Sequence, residues 1–173
     1  KSRWASRSVS RAPLRLIVPG WYGMAHVKWL RRITVVAEPF DGFQMQAYQF
    51  RDSLDDPGIP LTRIEPRALL IPPGFPDFMS RRRVLRSGDV LIEGRAWSGW
   101  AEVTAVQISI DGGDTWESAD LGPGLDSYGW ARWSWIWKAE PGSYLLSARA
   151  TDASGRTQPL GQRWSRGGFA NNT

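Results

Sequence analysis

Residues 103–116, VTAVQISIDGGDTW, contain the pattern that decides the fold. Alternation over residues 103–110 places Val106, Ile108 and Ile110 on one side of an extended chain, which predicts a half-buried β-strand. The following Asp-Gly-Gly, residues 111–113, is a strong turn signal, and a return strand is expected to begin at Thr115. This stretch therefore predicts a β-hairpin.

The sequence on either side repeats this pattern of short, turn-bounded strands. Further strands are predicted at residues 90–97, 130–138 and 144–150. In the second of these, Trp133, Trp135 and Trp137 recur at a spacing of two and are expected to share one face. Residues 88–164 thus predict a mainly β fold, an immunoglobulin-like β-sandwich.

The chain before this region is organised differently. Residues 39–87 are rich in proline and aromatic side chains, with short strand candidates at residues 44–50 and 67–71. Residues 14–30, LRLIVPGWYGMAHVKWL, begin with an apolar run, turn at Pro-Gly, and continue with apolar residues at helical spacing. They predict a strand, a tight turn and the start of a helix, typical of an α/β domain.

The turn in residues 14–30 is a candidate anion site. Gly20 and Gly23 would let the backbone approach a ligand, and a helix N-terminus attracts anions such as phosphate. His26 and Lys28 fall in the expected first turn, where a cation would complete the site. The alternative is a plain connection with its lysine in solvent, and the pattern alone leaves both open.

Composition limits the classes of protein to consider. The 173 residues are 42% hydrophobic, enough to bury a sizeable core, and the sequence shows neither a membrane-length apolar run nor a signal peptide. The chain has no cysteine and one histidine, which excludes disulfides, zinc–cysteine sites and histidine-rich metal clusters.

The net charge of +5 comes mainly from arginine. Basic residues form two clusters: Lys1, Arg3, Arg7, Arg11 and Arg15, and then Arg81, Arg82, Arg83 and Arg86. No nucleic-acid-binding motif accompanies them, so a solvated basic surface is expected, one that would also favour an anionic substrate or cofactor.

One segment carries a family resemblance. Residues 19–33, PGWYGMAHVKWLRRI, resemble the pattern PG-x-x-G-x-x-x-VKWL-x-x-I of the sulfite oxidase family, which includes the eukaryotic nitrate reductases. There the segment closes the molybdenum-cofactor domain and holds the terminal phosphate of the pterin. The resemblance implies that His26, Val27 and Lys28 contact this phosphate, Val27 through its backbone N–H, and that Gly23 and Ala25 make room.

The β region resembles the same family at four places: SIDGGDTW, WARWSWIW, ARATDASGRTQP and the tail RWSRGGFANN. The resemblance implies the C-terminal part of a molybdopterin oxidoreductase. Residues 1–38 would be the α/β end of the molybdopterin-binding domain, and residues 39–173 the immunoglobulin-like dimerisation domain with its lead-in crossover.

For the full-length protein the resemblance implies molybdenum-dependent oxidation by oxo transfer, with electrons leaving to an acceptor such as a cytochrome. It also implies a homodimer, a small oxyanion or other small-molecule substrate, and a periplasmic or extracytoplasmic location, although the sequence itself does not fix the compartment. Neither nucleic acid nor a membrane span is expected.

Two departures from the family matter. The family's molybdenum ligand is a cysteine thiolate upstream of this segment, and this chain has no cysteine, so the chain alone is expected to be inactive. Sulfite oxidases also carry a substrate-binding arginine in a Gly-Gly-Gly-Arg-Glu run. Here residues 98–102 read SGWAE, with Ala101 in its place, which makes sulfite doubtful and leaves Arg95 and Arg132 as possible substitutes.

Two other classes stay open on the sequence. A row of tryptophans can form a sugar-binding platform, which would make the chain a non-catalytic carbohydrate-binding module with Trp133, Trp135 and Trp137 exposed. A structural, adhesion-type β-sandwich is the other alternative, and it would give the turn at His26–Lys28 no purpose.

Overall fold

The computed structural model describes residues 14–124 and 126–173, and most of its regular structure is β. Two sheets, one of four strands and one of three, enclose the core, and two small two-stranded ribbons lie outside them. No helix in these ranges has the length and apolar composition that crossing a membrane requires.

The elements before residue 88 have at most five residues, and the three longest strands begin at or after it. The two helices are a 3₁₀-helix, Gly23–Ala25, and α1, Phe43–Ala47. The strands are β1 (Gln49–Phe50), β2 (Ile59–Pro60), β3 (Arg67–Ile71), β4 (Phe75–Pro76), β5 (Arg83–Val84), β6 (Gly88–Trp97), β7 (Val103–Ser109), β8 (Glu117–Ser118), β9 (Asp120–Leu121), β10 (Ala131–Ala139) and β11 (Ser147–Asp152).

The two main sheets have the strand order β3-β6-β10-β9 and β11-β7-β8. All their pairings are antiparallel, and β6 pairs with β10 along nine residues of each strand. These orders correspond to the A-B-E-D and F-C-C′ sheets of an immunoglobulin-type sandwich. The prediction of a mainly β, immunoglobulin-like fold is confirmed.

Most predicted strands form where the alternation placed them, as β3, β6, β7 and β10. The last one, predicted at 144–150, begins later, at Ser147. The strand predicted at 44–50 is wrong, because this stretch forms α1 followed by the two-residue β1. Only Phe50 in this stretch is buried, so no apolar face holds it against a sheet, and its backbone bonds close locally.

The sandwich also begins earlier than residue 88, since β3 is the edge strand of the four-stranded sheet. Ala68 in this strand is buried, and its N–H donates to the side-chain carbonyl of Gln158 at 2.6 Å. The first strand of the crossover, β3, is therefore part of the sandwich.

The core centres on Trp133 of β10, which is 1% exposed. It packs in one cluster with Ile92 of the same sheet and with Val106 and Ile108 of the facing sheet. Because the inward faces of both sheets supply these side chains, the core lies between the layers.

Gly94 of β6 makes room for the central tryptophan. Trp133 lies directly opposite Gly94 in the register of β10 on β6. A Cβ at Gly94 would overlap both the Trp133 indole and the carbonyl oxygen of Leu69. The absence of a side chain at residue 94 therefore lets both the indole and the neighbouring strand come close.

We expect Gly94→Ala to destabilise the protein by about 1–3 kcal/mol, because the added methyl group forces Trp133 or β3 to shift. Gly161→Ala is the matched control, since a Cβ there meets no heavy atom within 4 Å. Urea unfolding of both variants measures the difference. Equal stabilities would contradict this account of the core.

A buried polar network closes one end of the sandwich. The carboxylate of Asp152, which is 2% exposed, accepts hydrogen bonds from the hydroxyls of Ser98 at 2.7 Å and Ser154 at 2.6 Å. The N–H groups of Ser154 and Arg156 donate to it as well. Burial raises the pKa of Asp152, but these hydrogen bonds outweigh it and the net pKa lies below the usual aspartate value.

The lowered pKa predicts acid sensitivity. A carboxyl group whose pKa is lower in the folded state adds stability above its unfolded pKa, about 3.9, and this stability is lost as the pH falls through the folded pKa. We expect Asp152→Asn to lower the free energy of unfolding by about 1–3 kcal/mol at pH 7. The variant should also lose less stability than the parent as the pH falls below about 5.

Thermal unfolding as a function of pH measures this effect, with Asp114→Asn as the control because Asp114 is exposed. An Asp152→Asn variant as stable as the parent at pH 7, or equally sensitive to acid, would contradict the role of the network.

Candidate functional site

Residues 14–30 form a folded-back arm instead of the predicted strand and helix. The Leu16 N–H donates to the Val27 carbonyl at 2.9 Å, and the Leu30 N–H donates to the Leu14 carbonyl at 2.8 Å. These bonds pair Arg15 with Lys28 in an antiparallel bridge.

The helix predicted from the spacing of Met24, Val27 and Leu30 is therefore wrong beyond the three-residue 3₁₀-helix. Val27 pairs with the opposite side of the arm, and Trp29 has a left-handed backbone, φ 52°, which a helix does not accommodate. The sequence also predicted that the N-terminus of this helix would bind an anion. The described part of the arm contains no helix long enough for that role.

Residues 18–26 form the tip of the arm, which is a compact turn. Gly20 has φ 77°, a conformation that favours glycine, and the Trp21 N–H donates to the Val18 carbonyl at 3.2 Å. Nε2 of His26 lies 3.1 Å from the same carbonyl oxygen. Hydrogen bonds of both backbone and side chain therefore fix the tip.

The tip is attached to the sandwich through one intervening segment, residues 62–64. The Tyr22 N–H donates to the Thr62 carbonyl at 2.9 Å, and the Ile64 N–H donates to the Gly20 carbonyl at 2.8 Å. On the other side, the N–H of Gly99 donates to the Ile64 carbonyl at 2.7 Å. These bonds connect the arm to the loop that follows β6.

Tyr22 is partly buried in this attachment. Burial raises the pKa of its phenol, and the negative charge of Glu65 acts in the same direction. A backbone hydrogen bond from Glu65 opposes both, and the net pKa is raised. At neutral pH the phenol is therefore uncharged and adds no negative charge beside the arm.

The structure brings together the five residues predicted to form the phosphate site, in and beside the tip. Lys28 and Gly23 are exposed, and His26 and Ala25 are half-buried. A Cβ at Gly23 would meet no heavy atom within 4 Å, so the described residues leave open space there. The Val27 N–H donates to the Ala25 carbonyl at 3.1 Å, so in this conformation it is engaged within the arm.

Sequence reasoning did not place Arg15 beside Lys28. Directly opposed residues of an antiparallel pair project to the same side, and like charges in that position repel. Arg15 and Lys28 are such a pair, both are exposed, and the first acidic residue of the sequence is Glu38. A phosphate between the two cations would relieve the repulsion, so this face fits the phosphate end of a pterin cofactor.

The molybdenum end of such a cofactor has no partner in this chain. Thiolate ligation needs a cysteine, and the sequence contains none. The residues present therefore fit the phosphate of the cofactor and not its metal.

The two arginines considered as substitutes at Ala101 lie elsewhere. Arg95 and Arg132 are paired across β6 and β10 on the outer face of the four-stranded sheet. Arg132 forms an ion pair with Glu93 at 2.6 Å. Neither residue is placed in the loop at 98–102.

The tryptophan row is not an exposed platform. Trp133 and Trp137 are 1% and 5% exposed, and Trp135 is half-buried on the same inward face. The predicted shared face is confirmed, and the exposure that a carbohydrate-binding module requires is absent for these three residues.

Comparison with known proteins agrees with the geometry. Residues 10–44 match the family model described as oxidoreductase molybdopterin binding domain, and residues 77–173 match the Mo-co oxidoreductase dimerisation domain. The second match covers more than half of the chain.

Similar proteins include the mitochondrial sulfite oxidase of Rattus norvegicus, 32% identical over 85% of this chain and 29% of its own length. An NADH nitrate reductase of Brassica napus is 31% identical over 92% of this chain and 20% of its own length. The chain thus spans less than a third of the length of these relatives.

A solved structure gives the same result. The crystal structure of the sulfane dehydrogenase SoxCD from Paracoccus pantotrophus superposes with a TM-score of 0.67 at 26% identity, covering 94% of this chain and 41% of that one. Fold, motif and sequence comparisons agree, and the chain belongs to the Mo-co oxidoreductase dimerisation domain family.

Proposed function

We propose that this chain is the C-terminal part of a molybdenum-cofactor-dependent oxidoreductase of the sulfite oxidase type. It would supply part of the pterin phosphate site and the subunit interface. The observation that carries the proposal is the tandem order of the two family matches, the end of a molybdopterin-binding domain followed by a dimerisation domain. The division at residue 38 is part of the proposal.

The chain's own residues would bind and position the cofactor. Lys28 and Arg15 would hold the phosphate from the exposed face of the arm, and Gly23 leaves space for close approach. His26 would keep the tip in shape through Val18 and contribute a polar edge. The Val27 N–H could bind phosphate only after leaving the Ala25 carbonyl, and we assign it the smallest share.

When bound, the cofactor supplies two-electron oxo transfer. Its thiolate ligand would come from outside these 173 residues, so we expect no turnover by the chain alone. The substrate would be a small oxyanion or another small molecule, and the electron acceptor a protein such as a cytochrome.

Replacing Lys28 by Ala in the full-length protein should lower cofactor occupancy, because one charge-assisted hydrogen bond to phosphate is lost. A bond of this kind contributes about 1.5–3 kcal/mol, so roughly tenfold to hundredfold weaker retention is expected. Molybdenum content and pterin fluorescence of the purified protein measure retention.

Arg82→Ala is the control, since Arg82 is also an exposed cation but lies directly before β5, outside both the arm and the four-stranded sheet. Molybdenum and pterin contents that are equal in both variants and the parent would contradict the phosphate site.

The subunit interface we propose is the outer face of the four-stranded sheet. Leu91 and Ile136 oppose each other there across β6 and β10 and are 53% and 56% exposed. Leu69 and Ile71 of β3 extend the same face and are also exposed. Pairing with a second copy would remove these apolar side chains from water.

We expect the chain to sediment as a dimer at micromolar concentration, and the double variant Leu91→Glu, Ile136→Glu to sediment as a monomer with an unchanged circular dichroism spectrum. Buried carboxylates without partners would oppose association. A parent chain that remains a monomer would exclude the dimer, and a dimeric double variant would exclude this face.

A further inference from the structure

A hairpin between β3 and β6 presents large apolar side chains to solvent. Residues 72–86, PPGFPDFMSRRRVLR, contain β4 and β5, which pair with each other outside the two main sheets. In this segment, which we call the β4–β5 ribbon, Phe75, Phe78 and Met79 are 81%, 89% and 86% exposed, and the last two lie in the turn at its tip. Apolar side chains grouped in this way on a surface are typical of an interaction site.

The β4–β5 ribbon has a defined turn and is attached to the sandwich. The Asp77 N–H donates to the Arg82 carbonyl at 2.8 Å, and the Ser80 N–H donates to the Asp77 carboxylate at 3.0 Å. On the side of the sandwich, Leu85 packs against the main core cluster. Hydrogen bonds and packing therefore hold the two apolar side chains of the tip in water.

The β4–β5 ribbon is also strongly basic. It contains four arginines and one acidic residue, Asp77, which leaves a net charge of +3. All four arginines are exposed: Arg81, Arg82, Arg83 and Arg86. Over residues 14–124 and 126–173 the single ion pair joins Arg132 to Glu93, so none of the four is paired with a carboxylate there. The ribbon therefore attracts anionic surfaces.

Pairing of the two strands sorts these side chains by face. Phe75 lies directly opposite Val84, so the two project to the same side, and Val84 is also exposed. Pro76 and Arg83 form the next pair and project to the other side. The Nη1 of Arg83 donates to the Gly74 carbonyl at 3.3 Å, which holds the guanidinium against the ribbon. One face and the tip are thus apolar, beside a run of cations.

This combination fits the surface of a lipid bilayer. Apolar side chains of peripheral proteins enter the boundary between headgroups and acyl chains, while arginines extend to the headgroup phosphates. Each basic residue near an anionic bilayer strengthens binding about fivefold. A protein partner would need a matching pocket for side chains that are this exposed, whereas a fluid bilayer accommodates them without one.

We propose that the β4–β5 ribbon binds the surface of an anionic lipid bilayer. Phe78 and Met79 would insert at the tip, and Arg81, Arg82 and Arg86 would contact headgroup phosphates. The contact is peripheral, because the ribbon enters only the outer boundary of the bilayer. This inference goes beyond the proposed function and does not depend on it.

Cosedimentation of the full-length protein with lipid vesicles tests the proposal. The protein should bind vesicles made of equal parts of phosphatidylcholine and phosphatidylglycerol, and should stay in the supernatant with phosphatidylcholine alone. Arg81→Gln combined with Arg82→Gln should weaken binding to the anionic vesicles about 25-fold. Phe78→Ser combined with Met79→Ser should weaken it about tenfold, because the apolar side chains no longer leave water.

Matched variants outside the ribbon are the controls. Arg31→Gln combined with Arg32→Gln removes two adjacent exposed arginines, and Phe43→Ser removes a side chain that is 78% exposed on α1. Both should bind the anionic vesicles within about twofold of the parent, because charges away from the contact are screened by salt. Every substituted side chain is exposed, so unchanged circular dichroism spectra are expected throughout.

Several outcomes would overturn the proposal. These are equal binding to both kinds of vesicle, binding to neither, and losses in the control variants as large as those in the ribbon variants. A protein that binds neither vesicle but is retained on polyglutamate beads through Arg81 and Arg82 would assign the ribbon to an acidic polypeptide instead. Molybdenum content, measured on the same samples, tests the proposed function separately.

Discussion

The close approach of Gly99 to Gly20 is the constraint on which the rest of the arrangement depends. A Cβ at Gly99 would overlap the Gly20 carbonyl oxygen and crowd the Ile64 N–H. Because residue 99 has no side chain, three separate stretches of backbone meet there and share hydrogen bonds. The orientation of the arm, and with it the cationic face around Lys28, follows from this contact.

The same contact joins the arm to the loop that follows β6. The arm carries Arg15 and Lys28 on one side of the junction, and the loop after β6 carries Trp100 on the other. Residues 62–64 lie between them and are bonded to both. The cationic pair of the arm thus lies near the place where the two family regions meet, and ligand sites often form between domains.

The sequence predicted the sandwich well because a strand with one buried face has an alternating pattern of apolar residues within its own sequence. Alternation around Ile108 and Trp133 and the glycine turn after Asp111 indicated strands that the structure contains. The prediction of a helix after Gly23 was wrong because apolar spacing describes only one face of a segment. It carries no information about the opposite side of the arm, where the Leu16 N–H donates to the Val27 carbonyl. Pairing between distant segments has no local signature.

The proposed phosphate site was predictable only to the same extent. Lys28 and its neighbours were predicted because they lie in one continuous motif, whereas Arg15 lies opposite Lys28 in a cross-strand pair that spacing does not reveal. Arg63 and Arg156, whose guanidinium groups both lie near the Trp100 ring, are likewise 93 positions apart in the sequence and come together only through the fold. Arg95 and Arg132 were the substitutes considered for the arginine that is absent at Ala101, but strand alternation places them on the outer face of the sheet.

The hydroxyl of Ser98 gives the loop a double role. It donates to the buried Asp152 carboxylate and accepts a hydrogen bond from the backbone N–H of Trp100 at 3.1 Å, so it connects the interior of the sandwich to the loop that holds the arm. A substitution at Ser98 therefore removes both hydrogen bonds, the one to Asp152 and the one from Trp100. In a mutational survey scored by cofactor content, such a variant would be classified with the residues of the arm although its primary lesion lies in the folded core.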